Sequence, residues 1–261
     1  MPLDYTARLG PLDRLKNNVA LAVRREIFEI FMRECQPGPD ERVADFGVSG
    51  HRDHPVHYFF ESMYPHRENL TAIGRAAEDA EWMPDQFPGL SFLEADLRSI
   101  PLPDDYFAAG ICNAVVEHAG DRDSQIALVH EVCRVCKRVI FTTPNKRFPV
   151  ELHTFLPLIH WLPDPTFHRL LGTLGFGSLA RVETLNPLNA SDFLELFPPQ
   201  RATRVFTLGW PLPGTNLISV SLSVSDSVGT RDQLRSSLRQ DAHNGLGSPH
   251  PQEVRDHAPT H

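Results

Sequence analysis

The chain has 261 residues, of which 41% are hydrophobic, and a formal net charge of -8 at pH 7. This apolar content suffices for one α/β domain with its own core, and an acidic chain without a Lys/Arg run argues against a nucleic-acid interface. No apolar run reaches the roughly 18–20 residues that cross a bilayer, and the start lacks the apolar core of a signal peptide. We therefore expect a cytoplasmic protein without an integral membrane segment.

The first half of the chain alternates between helical and extended patterns. Apolar residues at three- and four-residue steps predict a first helix from Asp13 to about Glu34. Short apolar runs, bounded by glycine, proline or acids, then predict strands near residues 42–48, 69–74, 90–95, 106–112 and 138–143. Strands that alternate with helical segments predict a doubly wound, mostly parallel α/β sheet with helices on both faces.

The four cysteines do not suggest a disulfide framework. Cys133 and Cys136 form a C-x-x-C, but no second pair lies at the spacing of a zinc site. Both are predicted on the apolar face of a helix that begins at Asp121 or Asp123, so we interpret them as small buried core residues. Reducing surroundings are the natural setting for such free thiols.

The second half is less regular. Residues 144–175 combine proline, histidine and aromatic residues, which predicts a segment that covers a pocket. Two late strands are expected at Arg204–Leu208 and Leu217–Val224. In the second of these, aliphatic residues alternate with serines, which predicts an antiparallel strand with one half-exposed face.

The composition changes again near the end of the chain. Residues 225–261 have no aromatic side chain and are rich in polar residues, glycine and proline. Such a segment cannot bury enough apolar surface to fold, so we predict a single domain over residues 1–224 followed by a disordered tail.

The clearest ligand-binding signal is the stretch R-V-A-D-F-G-V-S-G, residues 42–50. An apolar strand ends near Asp45, and Gly47 permits a tight turn with close approach of a ligand. Ser49 and Gly50 complete the predicted loop. In a doubly wound sheet, ligands bind outside the carboxyl ends of the strands. D-x-G-x-x-G fits a site for NAD, FAD or S-adenosylmethionine, and it also fits a plain strand–turn.

A second stretch narrows these alternatives. It runs from Phe92 to His118 and contains the acid Asp96, the loop P-L-P-D-D-Y-F and the pair E-H. Together with Asp45 and Gly47, this series resembles class I S-adenosylmethionine-dependent methyltransferases, in the type 11 group related to ubiquinone and menaquinone biosynthesis methyltransferases. The segment T-T-P-N-K-R-F-P-V-E-L-H-T is similar to a bacterial subgroup of that family. The resemblance covers residues 40–175 well and 176–224 loosely.

The resemblance implies a seven-stranded sheet with an antiparallel last strand and S-adenosylmethionine as cofactor. It places the loop at residues 45–50 against the methionine part of the cofactor. It also places Asp96 and Leu97 beside the adenine, and Asn113 near the methionine end.

Two positions depart from the family pattern. The usual G-x-G of the first loop is replaced after Gly47 by Val48 and Ser49. The acid that usually ends the second strand and binds the ribose hydroxyls is replaced by Gly74, which Arg75 follows.

The candidate catalytic residues follow the fourth and fifth strands. Methyl transfer is a direct displacement at an activated sulfonium, so the protein chiefly supplies alignment and, where the acceptor must lose a proton, a base. His118 and His153 are candidates because imidazole titrates near neutral pH, and Glu117 is a third. For each, a structural hydrogen bond is the competing role.

The sequence analysis assigns no metal site. His51, His54 and His57 are spaced by three residues, but no carboxylate or fourth ligand accompanies them.

The predicted function is transfer of a methyl group from S-adenosylmethionine to a small-molecule acceptor. Apolar and aromatic residues between 148 and 167 favour a lipid, quinone-like or aromatic acceptor, and a sugar-linked one stays open. The alternatives are a non-catalytic binding protein of the same fold and an NAD(P)-dependent oxidoreductase. The chain lacks both G-x-G-x-x-G and the acid of the second strand, which argues against the oxidoreductase.

Overall fold

The computed structural model describes residues 11–48, 55–75, 81–182, 184–209 and 214–223. Its strands are β1 Val43–Phe46, β2 Leu70–Gly74, β3 Ser91–Glu94, β4 Phe107–Asn113, β5 Cys136–Pro144, β6 Ala202–Leu208 and β7 Asn216–Leu222. The α-helices in these ranges are α1 Pro11–Cys35, α2 Phe59–Met63, α3 Met83–Gln86, α4 Arg122–Val135, α5 Asp164–Thr173 and α6 Ala190–Leu194.

The strands form one sheet in the order β3-β2-β1-β4-β5-β7-β6. Strands β1 to β5 are parallel to one another, and β7 is antiparallel to both β5 and β6. The predicted mostly parallel, seven-stranded sheet with an antiparallel last strand is thus confirmed. The strand order reverses between β1 and β4, so their carboxyl ends form the topological switch point where ligands bind in such sheets.

Alternate residues of the strands feed two cores, one on each face of the sheet. Val43 and Ile140 pack in the core that contains Ile27 of α1. Phe46 and Phe141 point the other way, into the core that contains residues of α4 and α6. Because both faces are covered, the strands are apolar on both sides, as their near-continuous apolar sequences predicted.

Strand β7 departs from the sequence prediction. Its serines were expected on a half-exposed face, but Ser219 and Ser221 are fully buried. The prediction was wrong because β7 lies inside the sheet, between β5 and β6. Ser221 is hydrogen-bonded there: its Oγ accepts from Arg201 Nε at 3.0 Å, and its carbonyl accepts from Arg201 Nη2 at 3.0 Å. The serines therefore lie inside the protein and not on a solvent face, although the Ser219 hydroxyl has no hydrogen-bond partner in the described part of the chain.

Helix α4 begins as predicted. The Asp121 carboxylate accepts from the Ser124 backbone N–H at 2.9 Å, a side-chain cap of the first turn. The C-x-x-C lies differently than expected, because α4 ends at Val135 and Cys136 is the first residue of β5. All four cysteines are nevertheless free and buried, which agrees with a core role.

Two further predictions concern the C-terminal tail and membrane-spanning helices. The predicted tail, residues 225–261, lies outside the described residues. No helix in the described ranges is long and apolar enough to cross a membrane.

Candidate active site

The first turn of the site is at Gly47, directly after β1. Gly47 has φ +90°, and the backbone N–H groups of Gly47 and Val48 both donate to the Ile73 carbonyl, at 2.8 and 3.0 Å. A Cβ added at Gly47 would lie 2.3 Å from Cγ2 of Val115, in the loop after β4. The tight turn predicted at Gly47 is present, and glycine is required because the two loops of the switch point pack against each other there. Ser49 and Gly50, predicted to bind the cofactor, lie outside the described residues, as do His51 and His54.

Gly74, at the end of β2, has a structural reason for lacking a side chain. A Cβ added to it would lie 2.5 Å from the Val48 carbonyl oxygen. The backbone of the loop after β1 therefore packs against the position at which the family carries the ribose-binding acid. Any side chain at this position would clash with that backbone.

Asp96 and Leu97 follow β3, at the same edge of the sheet. The Asp96 carboxylate is partly exposed and accepts from Arg98 twice, with Nε to Oδ1 at 3.0 Å and Nη2 to Oδ2 at 2.6 Å. Arg75 Nη2 lies 3.4 Å from Oδ2. The hydrogen bonds from Arg98, aided by the charge of Arg75, hold the pKa of Asp96 well below its usual range. Leu97 is buried against the core.

A second group of charged and polar side chains lies near the ends of β1 and β4, with Asp45 and Glu61 buried and Arg24 and Asn113 half-buried. We call Arg24, Asp45, Glu61 and Asn113 the Arg24 network. Arg24 reaches from α1 and donates from Nη1 to Asn113 Oδ1 at 2.9 Å, while its guanidinium lies 5.5 Å from the centre of the Phe59 ring. The same Asn113 oxygen accepts from Thr142 Oγ1 at 2.8 Å. Asn113 is thus held by its oxygen, which leaves its amide N–H groups for other partners.

The acids of the network are protonated more readily than ordinary carboxyl groups. Burial raises the pKa of Asp45, and the neighbouring Glu61 raises it further. Burial also raises the pKa of Glu61, to about 7, although its contact with the Asp45 carboxyl acts in the opposite direction. We interpret the contact as a carboxyl pair that shares a proton, because two buried like charges cannot both ionise at low cost.

Arg24 itself is incompletely bonded. Burial lowers its pKa, while the charges of Glu117 and Asp45 raise it. Its Nε is buried and has no hydrogen-bond partner in the described part of the chain. A buried donor without a partner costs about 1–3 kcal/mol, which marks a place where a ligand can supply the missing acceptor.

A third group, the His–Glu cluster of Glu117, His118 and His153, lies over the ends of β4 and β5. The Nε2 atoms of His118 and His153 are 3.3 Å apart, and Oε1 of Glu117 lies 3.9 Å from His118 Nε2. The 3₁₀ turn Val116–His118 carries the first two residues, and the loop after β5 brings His153 to them.

Each member of the cluster also has a hydrogen-bond partner outside the cluster. The His118 Nδ1 atom is 2.7 Å from the Thr184 carbonyl, and the His153 Nδ1 atom is 2.7 Å from Glu151 Oε1. Glu117 is fully buried and accepts from Thr143 Oγ1 at 2.9 Å. Burial raises the pKa of Glu151, but hydrogen bonds from His153 and Thr154 outweigh it and lower that pKa to about 2. For His153 burial lowers the pKa, and the contacts with Glu151 more than reverse this, so the net shift is upward.

A partly open pocket of about 270 Å³, open solvent included, adjoins the cluster. Its walls combine charged or polar groups with apolar side chains of the loop after β5. They are formed by Glu117, Pro144, Asn145, Lys146, Val150, Glu151, Leu152, His153, His160, Leu185 and Pro187.

Comparisons with known proteins bear on the family and the fold of this chain. Residues 59–139 match a family model described as a methyltransferase domain. The match covers less than half of the chain, and within it this chain carries a methyltransferase domain. A comparison with curated protein sequences gave no match.

Solved structures share the fold of this methyltransferase domain at low sequence identity. The PH0226 protein of Pyrococcus horikoshii OT3 is 12% identical, with 82% of this chain and 92% of that chain covered and a TM-score of 0.52. The YcgJ protein of Bacillus subtilis is 14% identical, with 76% and 99% covered and a TM-score of 0.50. A methyltransferase from Methanosarcina mazei is 16% identical, with 76% and 97% covered and a TM-score of 0.48.

The methyltransferase domain brings several predicted site residues together. Asp45, Gly47 and Asn113 meet at the switch point, and Glu117, His118 and His153 form one cluster. Gly74, Asp96 and Leu97 lie apart from both groups, along the ends of β2 and β3.

Three residues of the site were not predicted from the sequence, namely Arg24, Glu61 and Glu151. Arg24 carried a usable signal, because it shares a helix face with the buried Ile27 and Phe31, where a charge is unexpected. Glu61 lies in an aromatic-rich run, F-F-E-S-M, where a lone acid is also informative. Glu151 gives no such signal, since its role depends on a loop fold that no short pattern predicts.

Proposed function

We propose that this domain transfers a methyl group from S-adenosylmethionine to a small-molecule acceptor in the pocket beside the His–Glu cluster. The observation that carries the proposal is the Arg24 network. It combines a half-buried cation, whose buried Nε has no hydrogen-bond partner in the described part of the chain, with buried acids, at the switch point where such sheets bind their ligands.

The network fits the amino-acid end of the cofactor. A methionine carboxylate is the natural acceptor for Arg24 Nε, since a charge-assisted hydrogen bond there would satisfy the buried donor. Asp45 would accept from the ammonium group, and the Asn113 amide would donate to the same end. In this arrangement Gly47 shapes the turn and Ser49 and Gly50 continue it.

At the ribose the fit is weaker, because Gly74 supplies no carboxylate. We propose that Asp96 and Leu97 lie beside the adenine, with Leu97 as the apolar contact. Binding would then depend mostly on the methionine end.

When bound, the cofactor supplies a methyl group on a positively charged sulfur that is already activated for displacement. The protein's own residues hold the acceptor in line and exclude water. The His–Glu cluster of Glu117, His118 and His153 promotes loss of the acceptor proton where one must leave and stabilises the charge that forms. Val150, Leu152 and Leu185 favour an acceptor with an apolar portion.

The test is turnover. The protein is incubated with S-adenosylmethionine and a panel of phenolic, quinol-like, lipid and sugar-linked acceptors, and products are identified by mass spectrometry. We expect one acceptor class to gain a methyl group with stoichiometric S-adenosylhomocysteine. Cofactor binding without turnover on any acceptor would favour the non-catalytic alternative. Binding of NAD in place of S-adenosylmethionine would overturn the proposal.

A further inference from the structure

The His–Glu cluster has the arrangement of a metal site. Its three ligand atoms are Nε2 of His118, Nε2 of His153 and Oε1 of Glu117, and they all lie within 4.8 Å of one another. Zn–N bonds of about 2.0–2.1 Å at a tetrahedral angle place two nitrogen ligands about 3.3–3.4 Å apart. The two Nε2 atoms are separated by 3.3 Å.

The outer contacts determine which atoms face inward. With Nδ1 of His118 donating to a carbonyl and Nδ1 of His153 donating to the Glu151 carboxylate, both imidazoles present a lone pair on Nε2. Thr143 donates to the other oxygen of Glu117 and so orients Oε1 toward the histidines. Metal-binding histidines almost always donate their second ring N–H to a carboxylate or carbonyl in this way.

The inward-facing atoms need a cation. Two imidazole lone pairs that face each other repel, and Oε1 of Glu117 is buried without a hydrogen-bond partner in the described part of the chain. A single proton between the histidines would relieve their repulsion but leave the Glu117 oxygen unsatisfied. One divalent ion satisfies all three atoms.

We propose that Glu117, His118 and His153 bind a divalent first-row transition ion, with Zn²⁺ as the reference case. Two imidazoles and a carboxylate suit these ions, and three protein ligands leave coordination positions open. The site is accessible, because the His118 side chain is 38% exposed and the adjoining pocket is partly open.

The metal site deepens the proposed methyl transfer and rests on it for its role. An acceptor hydroxyl bound at an open position would release its proton to solvent more readily, because the cation stabilises the oxyanion. The oxygen then displaces the methyl group from the sulfonium, and the leaving group is the neutral thioether. The acceptors favoured are therefore those with an oxygen that can bind the ion.

The experiment measures metal binding directly. Tag-free protein is treated with chelator, dialysed and titrated with Zn²⁺ by calorimetry, and with Co²⁺ by visible absorption. We expect one ion per chain and the intense d–d bands of a low-symmetry Co²⁺ site. A folded protein that binds no stoichiometric ion would overturn the proposal.

Variants assign the site to its residues. His153→Ala and Glu117→Gln should each lower Zn²⁺ affinity by more than about 100-fold, and Glu151→Gln by about 10–100-fold, the usual effect of losing an outer partner. His130→Ala removes an exposed imidazole from α4 and should change nothing. Thermal unfolding followed by circular dichroism checks that each variant folds. Folded variants at His153, Glu117 and Glu151 that bind Zn²⁺ as tightly as the parent protein would contradict the assignment.

A titration with S-adenosylmethionine in the chelator-treated protein separates this inference from the proposed function. The Arg24 network contains none of the metal ligands, so cofactor binding should survive metal removal. Metal binding without cofactor binding would overturn only the proposed function, and the reverse result would overturn only the metal site.

Discussion

The two halves of the proposed cofactor site differ in how their charges are held. At the ends of β1 and β4, Asp45 and Glu61 are buried, and the half-buried Arg24 has a buried Nε donor without a hydrogen-bond partner among the described residues. At the end of β3, Asp96 is partly exposed and both its oxygens already accept from Arg98. Buried charges interact more strongly than exposed ones, because water and salt screen them less. The difference indicates that affinity should depend mainly on the buried half.

The largest expected effect is at Arg24. Arg24→Gln should weaken S-adenosylmethionine binding by about 2–5 kcal/mol, because it removes one partner of a buried charge pair. Calorimetric titration measures this. Arg25→Gln, which changes the exposed neighbour on the same helix, is the matched control and should bind normally. Equal S-adenosylmethionine affinities for Arg24→Gln and Arg25→Gln would contradict the conclusion that affinity depends mainly on the buried half of the site.

Gly74 tests whether the missing ribose acid is a defect or a packing requirement. Gly74→Asp restores the family's residue, but its Cβ would lie 2.5 Å from the Val48 carbonyl. We expect a loss of about 1–3 kcal/mol in the free energy of unfolding, measured in urea, and weaker cofactor binding. Gly177→Asp, at a position where a Cβ meets nothing within 4 Å, is the control. A stable variant with tighter binding would contradict the packing explanation.

Glu61 tests the shared proton through pH. Its pKa is raised by burial, so the folded state keeps a proton that the unfolded state loses above about pH 4.3. The free energy of unfolding should therefore fall as pH rises from there to the raised pKa, at up to about 1.4 kcal/mol per unit. Urea unfolding at several pH values should show a smaller slope for Glu61→Gln. Parallel profiles for parent and variant would argue against the carboxyl pair.

Asp96 should show the smallest effect. Asp96→Asn retains the size of the side chain and changes an exposed group that already binds Arg98. We expect cofactor affinity to fall by about 1 kcal/mol or less, in the range of exposed ion pairs and single hydrogen bonds. A loss of cofactor affinity as large as that of Arg24→Gln would show that the adenine side contributes as much to binding as the buried half.

The sheet was predictable because its strands are short apolar runs separated by strong helix and turn signals. Strands predicted near residues 42–48 and 138–143 correspond to β1 and β5, although β5 begins two residues earlier, at Cys136. Burial of β7 was not predicted, because alternating serines cannot distinguish a solvent face from a buried face that carries small polar side chains. The site is harder still: Arg24 and Asn113 are 89 residues apart, and His118 and His153 are 35 apart. Contacts of that range depend on tertiary packing, which explains why a metal site was not assigned from spacing.

The most direct test of the account is calorimetric titration of the parent protein and Arg24→Gln with S-adenosylmethionine, with NAD as the comparison ligand. The account predicts one S-adenosylmethionine site per parent chain, no binding of NAD, and a loss of at least about 30-fold in affinity in the variant, equivalent to about 2 kcal/mol. Binding of NAD alone, or undiminished S-adenosylmethionine binding by a folded Arg24→Gln variant, would contradict it.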